Sequence, residues 1–468
     1  MFILKQSDVC FALLLSLSIL PLKPVHADYA AKAEQQTDFI QANFYNPDRK
    51  LYDKTYPSQN KRPADTWDNG AELEALAAAT AHDSAKYSSI LHDFTIGMNA
   101  YWDPTPPFGD YDAVPYNGGT TTERYYDDNE WLVLGFADAY KATRNVEYLN
   151  LAKKTEDFVL SGWDDKLGGG IYWRIDHKSK NTCSNAPAAA AALSIAEINH
   201  DKSLVDWAVK IRDWTTTTLQ TPDGLFWDNI ALDGTITKWV FSYNSALMIL
   251  TNTLLYKESK NPADLAAARR IADASITYWQ NPATGSLDGR EKSPIFTHLL
   301  CNAFINLYEV THDVKYLNTV RAEATFAYRY VRLTSGGYSD TWTPATHNPA
   351  DRQTLLNAAA VARLFWILAP YPDVDALYAD GIAKATDGKY AAAEDLFRQA
   401  AASDPQDVKS RFRLWHVLQH EKKTDESATV SAQLTTMAQD PTAAQQLTAL
   451  GWQAPPATTV APTPPAAP

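Results

Sequence analysis

Asp127 and Asp128 stand side by side in the stretch YYDDNEW, Tyr125 to Trp131, which runs straight into the helical pattern LVLGFADAY. Adjacent carboxylates repel, so a chain that keeps two of them at the mouth of a helix uses them for capping or for chemistry. A retaining glycosidase needs two carboxyls about 5 to 5.5 Å apart, one as nucleophile and one as acid/base. Successive helical residues point about 100° apart, so such a pair cannot share one helical face. At a helix mouth, irregular backbone lets both converge on one site. Repulsion then raises one pKa and keeps that group protonated as the acid, while backbone N–H groups at the helix start favour the other as carboxylate. The two would titrate jointly. The plainer reading of an Asp at a helix start is a cap, and the surroundings decide between the two.

Those surroundings repeat. Six apolar helical segments begin at Asp65, Tyr125, Cys183, Phe241, Phe296 and Leu355, 55 to 60 residues apart. A more amphipathic helix precedes each, as in KAEQQTDFIQANFY and LVDWAVKIRDWTTTTL. Helices rich in Ala and Leu all round require burial, and amphipathic ones require a wet face. Six of each in alternation predict an all-α fold, an (α/α)6 barrel with the apolar set lining the inside.

The connections are of two unequal kinds. Those from an apolar helix to the next amphipathic one are short and polar, such as KATRNVEYL and INHDKSLV. Those in the other direction are long and rich in Trp, Tyr, Gly, Asn and Asp, such as SGWDDKLGGGIYWRIDHKSKNTCSN and QTPDGLFWDNIALDGTITKWVFSYN. A barrel gathers all loops of one kind at one end, so one end is expected to be plain and the other an aromatic bowl. Rings flanked by Asn, Asp and Lys suit a sugar, whose apolar faces lie on rings while its hydroxyls take hydrogen bonds. Trp163, Trp173, Trp227 and Trp342 are the candidate platforms; the alternative is that they only pack the loops.

The chain of 468 residues carries a formal charge of −13, which repels nucleic acid and anionic lipid and leaves a neutral partner the easier one. Residues 1–27, with an apolar run from Phe11 to Leu20 and a small-residue end at VHA, read as a secretory signal, giving a secreted or periplasmic protein without a membrane span in its mature form. Cys183 and Cys301 match no metal spacing and no disulfide framework. No metal or cofactor is expected. The barrel should occupy residues 28–372. Residues 373–452 carry Gly381, Tyr390, Ala393, Phe397, Ala400 and Pro405 at tetratricopeptide spacing, a helical extension that could dock a protein partner or be an ordinary helical hairpin. The Pro/Ala-rich tail 453–468 reads as disordered or a linker.

The blocks YYDDNEWLVLGFADAY, GGGIYWR followed by KNTCSNA, and YNSALMI resemble those of glycoside hydrolase family 76, the α-1,6-mannanases, over about residues 30 to 370. The resemblance implies a mannan polysaccharide or oligosaccharide substrate, with Asp127 as nucleophile and Asp128 as acid/base. It implies sugar contacts at Trp173, Lys180, Asn181, Asn185, Tyr243 and Asn244. Asp68, Asn69, Tyr126 and Trp227, on the same loop ends, complete the expected substrate-binding set. One departure is Ser245 and Ala246, where the family commonly has Gln and Gly, so a subsite contact can differ. Three alternatives remain: a sugar epimerase, which needs paired His where His177, His298 and His347 are scattered; an unsaturated glucuronyl hydrolase, which needs basic residues for its uronate; and a non-catalytic carbohydrate-binding or docking protein on the same barrel.

Overall fold

The computed structural model describes residues 28–58, 60–118, 123–287, 290–343 and 351–453; the expected signal segment and nearly all of the tail lie outside these. The chain divides at Asp373 into two compact units. The first holds twelve helices among its described residues: α1 (Tyr29–Asn43), α2 (Thr66–His82), α3 (Ser84–Met98), α4 (Tyr126–Thr143), α5 (Val146–Ser161), α6 (Thr182–Asn199), α7 (Lys202–Leu219), α8 (Ser242–Ser259), α9 (Pro262–Trp279), α10 (Pro294–Thr311), α11 (Val314–Phe326) and α12 (Leu355–Leu368).

The even-numbered helices form the inner ring. Each packs on the next, and α12 packs back on α2, so the ring is closed. α6 is buried from Thr182 to Ala196 without interruption, as its run of alanines demands: small side chains let helices approach where branched ones would not. Two glycines set the closest approach. A Cβ at Gly70 of α2 would meet Trp131 Cβ of α4 at 2.7 Å, and one at Gly135 of α4 would meet Leu73 of α2 at 2.7 Å. The odd-numbered helices other than α11 bury only a stripe, as α7 does with Ala208, Ile211, Trp214, Thr215 and Leu219; α11 is buried continuously from Thr319 to Ala324. Closure also joins the first helix to the last, since Gln36 Nε2 donates to the Ala358 carbonyl at 3.1 Å and Trp366 Nε1 to Thr37 Oγ1 at 3.0 Å.

Four of the five short connections in the barrel share one design; in the other, Asp83 alone joins α2 to α3 and caps α3 with its side chain. Arg144, His200, Lys260 and His312 end their inner helices in the left-handed conformation, a strained position for residues with a Cβ. Each backbone N–H still donates to the carbonyl four residues back, at 2.7 to 2.9 Å. The next residue, Asn145, Asp201, Asn261 or Asp313, then caps the following outer helix with its side chain. Reversal thus takes two residues. The long connections, all at the other end, add a three-stranded antiparallel sheet of Ser179–Asn181, Trp227–Ala231 and Ile236–Val240. Thr55–Tyr56 pairs with Gln353–Thr354.

From Asp373, five helices follow: α13 (Val374–Thr386), α14 (Tyr390–Ser403), α15 (Val408–His420), α16 (Thr424–Met437) and α17 (Pro441–Ala449). Consecutive members from α13 to α16 pack pairwise, and α17 packs on α15. Gly381 belongs to that packing: a Cβ there would meet the Phe397 ring at 2.6 Å. Among the described residues no helix is long and apolar enough to cross a membrane.

The barrel buries an unusual number of acids. Glu72 and Glu74 on α2 are fully buried, and burial pushes their carboxyls up to about 8, against the lowering pull of Tyr52 and Arg363 respectively. A folded-state pKa raised above the unfolded value near 4.3 gives stability that is complete below about pH 4.3 and is lost as pH rises through about 8. The thermal midpoint should therefore fall as pH rises from about 5 to about 8, and Glu72→Gln should flatten that slope, as differential scanning fluorimetry at several pH values would record. A midpoint that is level or rising over that window would contradict the raised pKa of these acids.

Candidate active site

α4 begins at Tyr126, so Asp127 and Asp128 both sit in its regular first turn; the irregular backbone expected at this point is absent, and convergence comes from what packs over the helix start. That packing is done by asparagines. Asn129 Oδ1 accepts from Tyr111 N at 2.8 Å, and its Nδ2 donates to the Tyr111 and Tyr125 carbonyls at 3.0 and 2.9 Å. Asn185, at the same place in α6, accepts from Ile171 N at 2.7 Å and donates to the Ile171 and Asn181 carbonyls at 2.9 and 2.7 Å. Asn69, at the same place in α2, donates to the Ala64 carbonyl at 3.2 Å. Each staples a long connection to the first turn of an inner helix.

Asp127 and Asp128 open into a cavity of about 550 Å³. Trp173 Nε1 donates to Asp127 Oδ2 at 3.0 Å, the Asp128 amide donates to Asp127 Oδ1 at 3.1 Å, and the Cys183 thiol also bonds the Asp127 carboxyl. Burial still raises the Asp127 pKa to about 6, with these donors working against it. Asp128 is pushed well above the ordinary carboxyl range by burial first, then by the Asp127 charge and by Asp65 and Asp68, with Lys54 opposing. Both carboxyls are thus raised by burial, with donors opposing the rise at Asp127 and negative neighbours adding to it at Asp128. Beneath them on α4, Glu130 is fully buried, with neither carboxyl oxygen hydrogen-bonded. Its pKa is raised by burial and by Asp127, Glu156 and Asp128.

An aromatic run forms part of the wall: Trp67 stacks on Phe296 at 5.7 Å between centroids, Phe296 on Tyr243 at 4.5 Å, and Phe241 lies 5.8 Å from Tyr243. Tyr125, Trp131, Ser179, Asn181, Asp228, Asn229 and Trp239 also line the cavity. Among the described residues no Lys, Arg or His lines it.

Of the expected sugar contacts, Trp173, Asn181 and Tyr243 lie on this wall, and the others lie behind it. Lys180 is fully buried, with its ammonium donating to Asp164 Oδ1 at 2.6 Å and to the carbonyls of Asp164, Lys166 and Gly169 at 3.0, 2.8 and 2.6 Å. Asn69 and Asn185 are staples. Asp68 accepts from the Asp65 amide at 2.9 Å in a capping box. Tyr126 stacks on Phe158 at 4.8 Å, Trp227 packs with Trp214, Leu219 and Ile230, and Asn244 is buried within α8. Trp163 and Trp342 pack into the loops. Ser245 and Ala246, the departure from the usual Gln and Gly, are fully buried and do not line the cavity. Cys183, Asp228, Asn229, Trp239 and the Trp67–Phe296 pair escaped the sequence reading. For Asp228 the signal was its place beside Trp227 in the aromatic loop; for Cys183 there was none beyond its closeness to Asn181. Cys183 and Cys301 are both free and buried. Among the described residues no group of three His, Cys, Asp or Glu could hold a metal ion.

The fold has known counterparts. A GH76 α-mannanase of Bacteroides thetaiotaomicron superposes with a TM-score of 0.69 at 26% identity, covering 74% of this chain and 96% of that one. The GH76A α-1,6-mannanase of Salegentibacter sp. HEL1_6 does so with a TM-score of 0.64 at 25% identity, covering 73% and 99%. By sequence, a mannan endo-1,6-alpha-mannosidase of Candida glabrata is 27% identical over 216 residues, 40% of this chain and 48% of that protein; that of Saccharomyces cerevisiae is 29% identical over 189 residues, 37% and 42%. The chain thus spans about half the length of the curated relatives it matches. Residues 28–281, which hold the acid pair, the asparagine staples and most of the cavity wall, match glycosyl hydrolase family 76, and the chain belongs to that family.

Proposed function

We propose that the protein is a secreted retaining glycoside hydrolase that cuts α-1,6-linked mannan internally, with Asp127 as nucleophile and Asp128 as acid/base. The observation that carries this reading is the unequal setting of two adjacent acids in one aromatic cavity: donors gather on Asp127, while burial and negative neighbours keep the proton on Asp128. Asp127 attacks the anomeric carbon as Asp128 gives its proton to the glycosidic oxygen, so the leaving chain departs as an alcohol and a glycosyl ester remains. Asp128, now a carboxylate, takes a proton from water, which displaces the ester and restores both groups with configuration retained.

The substrate class follows from the lining and from the relatives' names. Among the described lining residues, three carboxyls and no basic side chain leave a uronate without a countercharge, which disfavours the glucuronyl hydrolase. A docking protein has no use for two mutually repelling acids buried together. Trp173, Asn181 and Tyr243 are proposed as sugar contacts, while Asp68, Asn69, Tyr126, Lys180, Asn185, Trp227 and Asn244 support the wall from behind. Secretion rests on the N-terminal signal pattern, and a protein partner for the helices after Asp373 rests on their repeat-like spacing alone. Incubation with α-1,6-mannan is expected to release new reducing ends, with products of mixed length early in the reaction. Mannan that is bound but left uncut would support the docking protein instead.

A further inference from the structure

Trp239 lines the same cavity as Asp127 and Asp128, yet 67% of its surface is exposed, the largest exposure of any large apolar side chain among the described residues. It stacks on no other ring among the described residues, whereas Trp67, Trp131 and Trp173 in the same lining each have an aromatic partner. Its position is fixed all the same. The strand Ile236–Val240 that carries it pairs with Trp227–Ala231, which pairs in turn with Ser179–Asn181 at the start of α6. The register shifts between Trp227 and Asn229, a bulge of the kind that re-aims side chains beside active sites; Asp228 and Asn229 both line the cavity. On the same strand, Lys238 lies over the Trp227 ring at 5.3 Å, so strand alternation turns Trp239 away from that face. The hairpin thus presents polar groups in the wall and a bare indole at the rim.

A bare indole at the rim of a cavity with no cation among its described lining residues is a surface for the apolar face of a pyranose. We infer that Trp239 is the platform for a sugar unit beyond the two whose bond is broken, and that it makes the enzyme prefer chains over short glycosides. This rests on the hydrolase reading above. The residue acts on binding rather than on the reacting atoms.

The test compares the wild type with Trp239→Ala and Trp239→Phe on an aryl α-mannoside and on linear α-1,6-mannooligosaccharides of two to six units. Trp239→Ala should raise KM for the longer oligosaccharides about tenfold, equivalent to about 1.4 kcal/mol. It should leave kcat on them and kcat/KM on the aryl mannoside within about twofold, a small change on this scale, and Trp239→Phe should recover most of the loss. Equal losses on short and long substrates, or none on long ones, would overturn the inference. A wild type that cleaves neither substrate would count against the hydrolase reading only. Calorimetric binding of the hexasaccharide would then decide on Trp239: about tenfold weaker binding by Trp239→Ala supports the platform, and unchanged binding removes it.

Discussion

Asp128→Ala should still form the glycosyl ester from an aryl α-mannoside whose leaving group needs no proton, and should then stall, because no base remains to activate water. On α-1,6-mannan its rate should fall by about 10² to 10⁴. Azide, which needs no base, should restore turnover on the aryl substrate and give the α-mannosyl azide, with retention. Asp127→Ala lacks the nucleophile, so hydrolysis of mannan should fall on the order of 10⁴-fold or more. Any azide rescue of Asp127→Ala should give the β product by direct inverting attack. NMR of the anomeric position reads the two outcomes. The β product from Asp128→Ala with the α product from Asp127→Ala would mean that the roles are reversed. Near-normal cleavage of mannan by either variant would make the pair a helix cap and nothing more.

The largest expected loss of stability comes from Lys180→Met. Methionine matches the length of the lysine stem but carries no charge and no donor. It would leave the carbonyls of Asp164, Lys166 and Gly169 facing an apolar group where they now receive an ammonium at 2.6 to 3.0 Å. Asp164 is 35% exposed and keeps water on its carboxylate, so the loss comes mainly from the carbonyls left without a donor, roughly 1 to 3 kcal/mol. The cage also holds the loop in shape. Gly169 and Gly170 have φ of +135° and +94° and lie against Trp163 and Trp214, in a connection that goes on to Trp173 and its bond to Asp127. Urea denaturation should show the midpoint falling with little change in slope. At a temperature where the variant is still folded, KM for mannan should change little. A variant of wild-type stability with a greatly raised KM would instead return Lys180 to the sugar-contact role that the family resemblance implies.

Periodicity and loop length in the sequence were enough to specify the twelve-helix barrel. Six Ala- and Leu-rich segments at near-constant spacing can be buried only inside a closed ring, and short polar turns between left-handed residues and Asn or Asp caps put every long connection at one end. The adjacent acids were legible from their place: they open an apolar helix at the end where the long aromatic connections gather. Which face each loop residue presents was not legible. Lys180, Asn181, Asn185, Trp227 and Asp228 lie in the same polar and aromatic stretches, but a bulge shifts the register between Trp227 and Asn229, the glycine loop folds its carbonyls onto Lys180, and Asn185 is consumed in stapling backbone. Sequence determined the residue types available to the bowl. Only tertiary structure decided which of them the buried backbone required as hydrogen-bond partners and which were left free to meet a substrate, because unsatisfied buried amides and carbonyls claim polar side chains before a ligand can.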